Sequence, residues 1–158
     1  MTDVLPPPVR LLFRPDAFFI KPWRGWGVMR DGKGKILARY QTQGSGRTGT
    51  RSAFTEQTIT FEGGLTTVVK WEIETDDESH FFARDLNTGV EAEGRQVGDD
   101  FCWSFRNEVP TRFGKLKART EVTYTLVSAT TAFAFAETRL WGRTISSYTT
   151  YYEQADEA

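Results

Sequence analysis

Apolar and polar residues alternate at every second position through most of this chain, and no stretch sustains a helical rhythm of 3.6 residues. In "LTTVVKWEIET" (65–75), Leu65, Val69, Trp71 and Ile73 share one parity, while Lys70, Glu72 and Glu74 take the other. That is the pattern of a strand with one face in a core and one in water. "KLKARTEVTYTLVS" (115–128) repeats it, with Leu116, Val122, Tyr124 and Leu126 on one side. Turn signals such as Asp31-Gly32 and Gly63-Gly64 punctuate the series. The pattern predicts strands at 23–30, 35–43, 51–62, 65–75, 79–86, 90–97, 100–108, 115–128, 132–141 and 144–154. "RPDAFF" (14–19) predicts a single helical turn, and "GSGRTGT" (44–50) a flexible loop. Pro110 and Gly114 bound a further loop, and Pro6, Pro7 and Pro8 hold the N-terminus extended. Many short strands joined by short links point to an all-β sandwich or barrel. Consecutive hairpins favour a single antiparallel up-and-down β-barrel of about eight to ten strands, which leaves no free edge and can hold one small ligand. The layout is an arm over 1–17, a barrel domain over 18–154 and an acidic tail over 155–158.

The segment "ARDLNTGVEAEGRQVGDDFCWSFR" (83–106) places many charges among three of these strands. Asn87-Thr88-Gly89 suits a three-residue hairpin loop, which sets Leu86 opposite Val90 and Asp85 opposite Glu91. Gly98-Asp99 suits a two-residue turn, with Val97 facing Asp100. Alternation then gives an inner face of Phe82, Arg84, Leu86, Val90, Ala92, Gly94, Phe101, Trp103 and Phe105. The outer face carries Phe81, Asp85, Glu91, Glu93, Arg95, Ser104 and Arg106. An inward Arg84 guanidinium needs an internal carboxylate, water or a ligand anion. Three readings stay open: a structural ion pair, a rim position with the head in water, and an anchor for a ligand carboxylate. A slip of one residue would instead set Arg84 against Glu91 on the outside.

Composition narrows the function classes. Twenty basic and 21 acidic side chains give a formal net charge of −1, so no electrostatic case exists for nucleic acid or an anionic membrane as partner. Cys102 is the only cysteine and His80 the only histidine, which excludes a Cys/His zinc site or a multi-histidine iron site within one chain; no cofactor is expected. No 18-residue apolar run exists to span a membrane, and the start has no secretory pattern, so a cytoplasmic location is expected. "GSGRTGTR" lacks the Gly-Lys-Ser/Thr ending of a phosphate loop and precedes a strand. Candidate ligand-contacting residues are Arg84, with His80 and Phe82 on its face, and the rings of Trp71, Trp103 and Phe105, suited to an apolar ligand. Glu56 joins them if the irregular parity between Phe54 and Ile59 marks a bulge that turns it inward; otherwise it is a solvated outer residue. Cys102 falls on the outer face and is expected to be unreactive. The five tryptophans are expected mostly in the core.

"FF…GWGVMRDGKGK", "FTEQTITFEGG", "KWEI" and "ARDLNTGVEAEGRQVGDDFCWSF", in this order, resemble an uncharacterised bacterial family of calycin-type, lipocalin-like proteins. The resemblance covers roughly residues 18–154, and Asp85, Gly89, Ala92 and Gly94 match its hairpin pattern. It implies a calycin-type barrel and no established reaction. Many members look like lipoproteins carried on a lipidated cysteine, a residue the start of this sequence does not offer. The expected function is binding of a small, largely apolar molecule in the barrel, with an acidic head group near Arg84. The alternatives are a cofactor-free isomerase or cyclase using Glu56, His80 or Tyr124, and an interaction protein with a filled barrel.

Overall fold

The computed structural model describes residues 10–75 and 80–155. Pro6–Pro8, the link at 76–78 between two predicted strands, position 79 of the strand predicted over 79–86, and the tail beyond 155 lie outside them. A short helix α1 (Pro15–Phe18) precedes ten strands: β1 (Trp23–Asp31), β2 (Ile36–Thr48), β3 (Ser52–Phe61), β4 (Thr66–Thr75), β5 (His80–Asp85), β6 (Glu91–Val97), β7 (Asp100–Thr111), β8 (Gly114–Ser128), β9 (Thr131–Leu140) and β10 (Arg143–Gln154). All pair antiparallel with their sequence neighbours, and β1 pairs with β10 to close the barrel. The predicted fold class is the one observed.

Two predicted loops are strand instead. β2 runs straight through Gly44–Thr48, because its glycines serve close approach rather than flexibility. A β-carbon on Gly44 would fall 2.6 Å from Trp23 Cζ2, and one on Gly46 would fall 2.8 Å from the Phe19 carbonyl oxygen. Likewise β7 continues past Pro110 to Thr111, and the hairpin turns only at Arg112-Phe113, with Gly114 at φ 98°.

One end of the barrel is stoppered by residues 10–22. The Phe13 N–H donates to the Asp99 carbonyl (3.2 Å), the Gly46 N–H to that of Ile20 (3.1 Å) and the Ala155 N–H to that of Pro22 (2.8 Å). Phe13, Phe18 and Phe19 insert among Trp23, Phe101, Tyr124 and Tyr152 as a continuous aromatic cluster. The arm expected up to residue 17 is thus, from Arg10 onward, seated in the barrel. At the other end the links are two to five residues long, too short to fold across the opening.

Side-chain volume alternates around the wall. Ala132, Ala134 and Ala136 of β9 are fully buried and sit in register with the ring-bearing positions Tyr152, Tyr124 and Tyr148 of the flanking strands. Small against large is how neighbouring rows interdigitate at native density. The reverse face of the same region is apolar: Trp26, Tyr151 and Phe133 form a cross-strand ladder with ring centroids 6.3 and 5.3 Å apart. Trp26 and Trp141 are therefore surface residues, unlike Trp23 and Trp103, because the strand parity of the first and the turn position of the second face water.

Candidate functional site

Between the aromatic stopper and the far opening lies an interior cavity of about 330 Å³. Its two sides differ in chemistry because the strands supply different inward residues. β4 to β8 give an apolar wall: Val69, Trp71, Ile73, Ala83, Ala92, Trp103, Phe105 and Val122. β2, β3 and β10 give a hydroxyl- and amide-bearing side, Tyr40, Thr55, Gln57, Tyr148, Thr150 and Tyr152, with the apolar Ile59 and Phe61 of β3 beside them. Tyr124 of β8 completes the floor against the stopper, its ring stacked on Phe13 at 4.9 Å.

The polar side is internally bonded. Tyr40 and Thr150 share a hydroxyl–hydroxyl hydrogen bond of 2.6 Å, and Gln57 Nε2 donates to Thr42 Oγ1 at 2.8 Å. Burial pushes the phenols of Tyr124, Tyr148 and Tyr152 well above the ordinary tyrosine range, so each stays a neutral hydroxyl. Burial also raises Tyr40, opposed by its bond to Thr150. The Trp23 indole N–H, at the inner end, is buried and meets no acceptor within the described residues.

The charged residue of the lining is Asp85, not Arg84. The Asp85 N–H donates to the Val90 carbonyl (2.8 Å), so the turn between them holds four residues, Leu86 to Gly89, rather than three, and Arg84 pairs with Glu91 and Ala83 with Ala92. Asp85 sets this loop. Its Oδ1 accepts from the Asn87 N–H (2.8 Å) and the Thr88 N–H (3.2 Å), and its carbonyl accepts from the Gly89 N–H (2.8 Å). The one-residue shift turns every β5 side chain over. Phe81, Ala83 and Asp85 face inward; His80, Phe82 and Arg84 face outward, where Phe82 is 43% exposed. Arg84 meets Glu72 at 3.5 Å on the outer surface. A ligand carboxylate held by Arg84 would therefore have to lie outside the barrel.

Glu56 is likewise outside. β3 has no bulge against β2 or β4, and the carboxylate lies 3.9 Å from Lys70 Nζ on the surface. The parity of the sequence is irregular here because the inward positions Thr55 and Gln57 are polar, while the outward Phe54 lies under the Arg47 guanidinium at 4.3 Å. Trp71, Trp103 and Phe105 do line the cavity. The space beside Gly94 is filled: a β-carbon there would sit 2.6 Å from Trp103 Cζ3. Of the groups named for a reaction, Tyr124 is inside, and Glu56 and His80 are not. Cys102 is half-buried, and its parity is opposite to that of the inward Phe101 and Trp103.

Replacing Arg84 by alanine should therefore change stability by no more than about 1 kcal/mol, the usual scale of an exposed ion pair. It should also leave occupancy of the cavity unaltered. Denaturant titration and ligand titration of R84A check both; a clear loss of binding would return Arg84 to the site.

Among the described residues no helix is long and apolar enough to cross a membrane. No curated protein is similar to the chain in sequence. In fold, the chain is similar to the S-type phycobiliprotein lyase CPES from Guillardia theta, with TM-score 0.65 and 7% identity, covering 90% of this chain and 92% of the lyase. It is also similar to a protein of unknown function from the DUF3598 family of Nostoc punctiforme, with TM-score 0.58 and 14% identity over 93% of this chain and 50% of that longer one. Both likenesses concern the barrel architecture. A family model described as a protein of unknown function (DUF3833) matches residues 10–154, stopper and all ten strands together, and the chain belongs to that family.

Proposed function

We propose that this barrel binds a small, largely apolar molecule within its cavity. The observation that carries the reading is an interior space of about 330 Å³ with one wall of tryptophan, phenylalanine and aliphatic groups and a facing strip of neutral hydroxyls. Sites for small molecules fall in this size range and combine mostly apolar lining with a few placed polar groups. Tyr40, Gln57 and Thr150 would orient the ligand, and the rings of Trp71, Trp103 and Phe105 would supply most of the contact.

The test is a titration of delipidated protein with the neutral fluorophore N-phenyl-1-naphthylamine. Saturable one-site binding is expected, with tryptophan emission quenched in step. Ile59→Trp, which fills the lining from β3, should weaken the probe by about tenfold or more. Absence of saturable binding to the native protein, or identical affinity in I59W, would sink the reading.

A further inference from the structure

Asp85 brings a formal charge to a cavity whose other lining residues are neutral. The loop that it organises uses one carboxylate oxygen: both backbone donors, Asn87 and Thr88, bond to Oδ1. Among the described residues no cation pairs with the carboxylate. The basic side chains closest along the fold are turned outward and committed elsewhere, Arg84 to Glu72 at 3.5 Å and Lys70 to Glu56 at 3.9 Å. Asp85 is half-buried, so its charge is neither fully hydrated nor neutralised.

Aromatic side chains share this part of the lining. Trp71 is the direct cross-strand partner of Asp85. The Phe105 ring lies 6.2 Å from that of Trp71, tilted by 54°, so the two rings are splayed rather than stacked. A carboxylate that shares a cavity wall with two such rings is an arrangement suited to an organic cation: ring quadrupoles attract it, and the acid supplies the counter-charge. The same carboxylate repels an anionic head group at this position.

We infer that the cavity selects ligands bearing an ammonium-type cation, held between Asp85 and the rings of Trp71 and Phe105, with the apolar body running inward toward Trp103 and Val122. This assignment rests on the proposed function and gives it a ligand class. It reverses the sign of head group that an inward arginine would have chosen.

The experiment displaces N-phenyl-1-naphthylamine with three ligands of one chain length, decylamine, decanol and decanoate, at neutral pH and low salt. On the native protein, decylammonium should bind about tenfold tighter than decanol, and decanoate more weakly than decanol. Asp85→Asn keeps a side-chain carbonyl that can accept the Asn87 and Thr88 bonds, so the loop should survive while the charge is lost. In D85N the amine and the alcohol should come within about twofold of each other. Added salt should narrow the gap for the native protein and leave that of the variant unmoved. Decanoate binding as tightly as the amine, or an amine-to-alcohol ratio unchanged in D85N, would overturn the assignment while leaving the binding function standing. Failure of the fluorophore itself to bind the native protein would remove both.

Discussion

Phe13→Ala should destabilise the protein by about 3–5 kcal/mol, the scale of a deleted buried phenylalanine. Phe13 has no exposed surface, stacks on Tyr124 with the rings 10° from parallel, and touches Phe18, Phe19 and Phe101. The Arg10–Asp99 ion pair beside it is exposed on both sides and adds little. The measurement is a urea unfolding curve followed by tryptophan emission, with the midpoint shifted and the slope unchanged. A loss below about 1 kcal/mol would mean that the stopper opens on its own, outside the cooperative unit that the barrel forms.

Alkali should act as a second strong denaturant. Tyr124, Tyr148 and Tyr152 lie deep in the cavity lining, and burial raises the pKa of each phenol. The folded protein therefore keeps these protons after the unfolded chain, titrating near its ordinary value of about 10, has lost them. The stabilisation is complete below that pH and falls as pH rises above it. The slope is about 1.4 kcal/mol per pH unit for each tyrosine, or about 4 kcal/mol per unit for the three. Urea midpoints measured from neutral pH upward should hold steady and then drop steeply. Tyrosinate absorbance from these three should appear together with unfolding. A smooth tyrosinate titration centred near the unfolded value, with the fold intact, would show that the phenols are wet.

Most of the architecture is legible in the alternation of side chains, and the departures have local physical causes. The turn at Gly98-Asp99 fixes β6 against β7 correctly, Val97 facing Asp100, because a two-residue turn admits one register. The neighbouring hairpin misleads because Asn87-Thr88-Gly89 invites a three-residue loop. The Asp85 carboxylate instead draws the backbone of Asn87 and Thr88 into a four-residue one. Phe81 and Phe82 are adjacent and equally apolar, so hydrophobicity alone could not say which of them faces inward. Asp85, the signal that could have decided it, is a turn-forming residue just before the loop.

The cavity was half legible. Trp71, Trp103 and Phe105 announced themselves as inward rings. Tyr40, Gln57, Thr150 and Tyr152 did not, since polar residues on a strand read as the wet face until a cavity is known to be there. The β9 strand shows the converse: its outward Phe133 and Phe135 are larger and more apolar than its inward alanines, yet 45% and 48% exposed.

The way the barrel shuts has a kinetic consequence. Nine of the ten ladders join strands that are neighbours in sequence, so hairpins can assemble in succession while the chain is still incomplete. The remaining one joins Trp23 to Gln154, and it needs both extremities of the domain at once. Such a distant pairing carries the largest loop-closure entropy and belongs to the slow step of folding. The leading segment, Arg10 to Pro22, docks on Asp99, Tyr124 and Ala155. The segment that precedes the strands is thus among the last parts of the barrel to find its place.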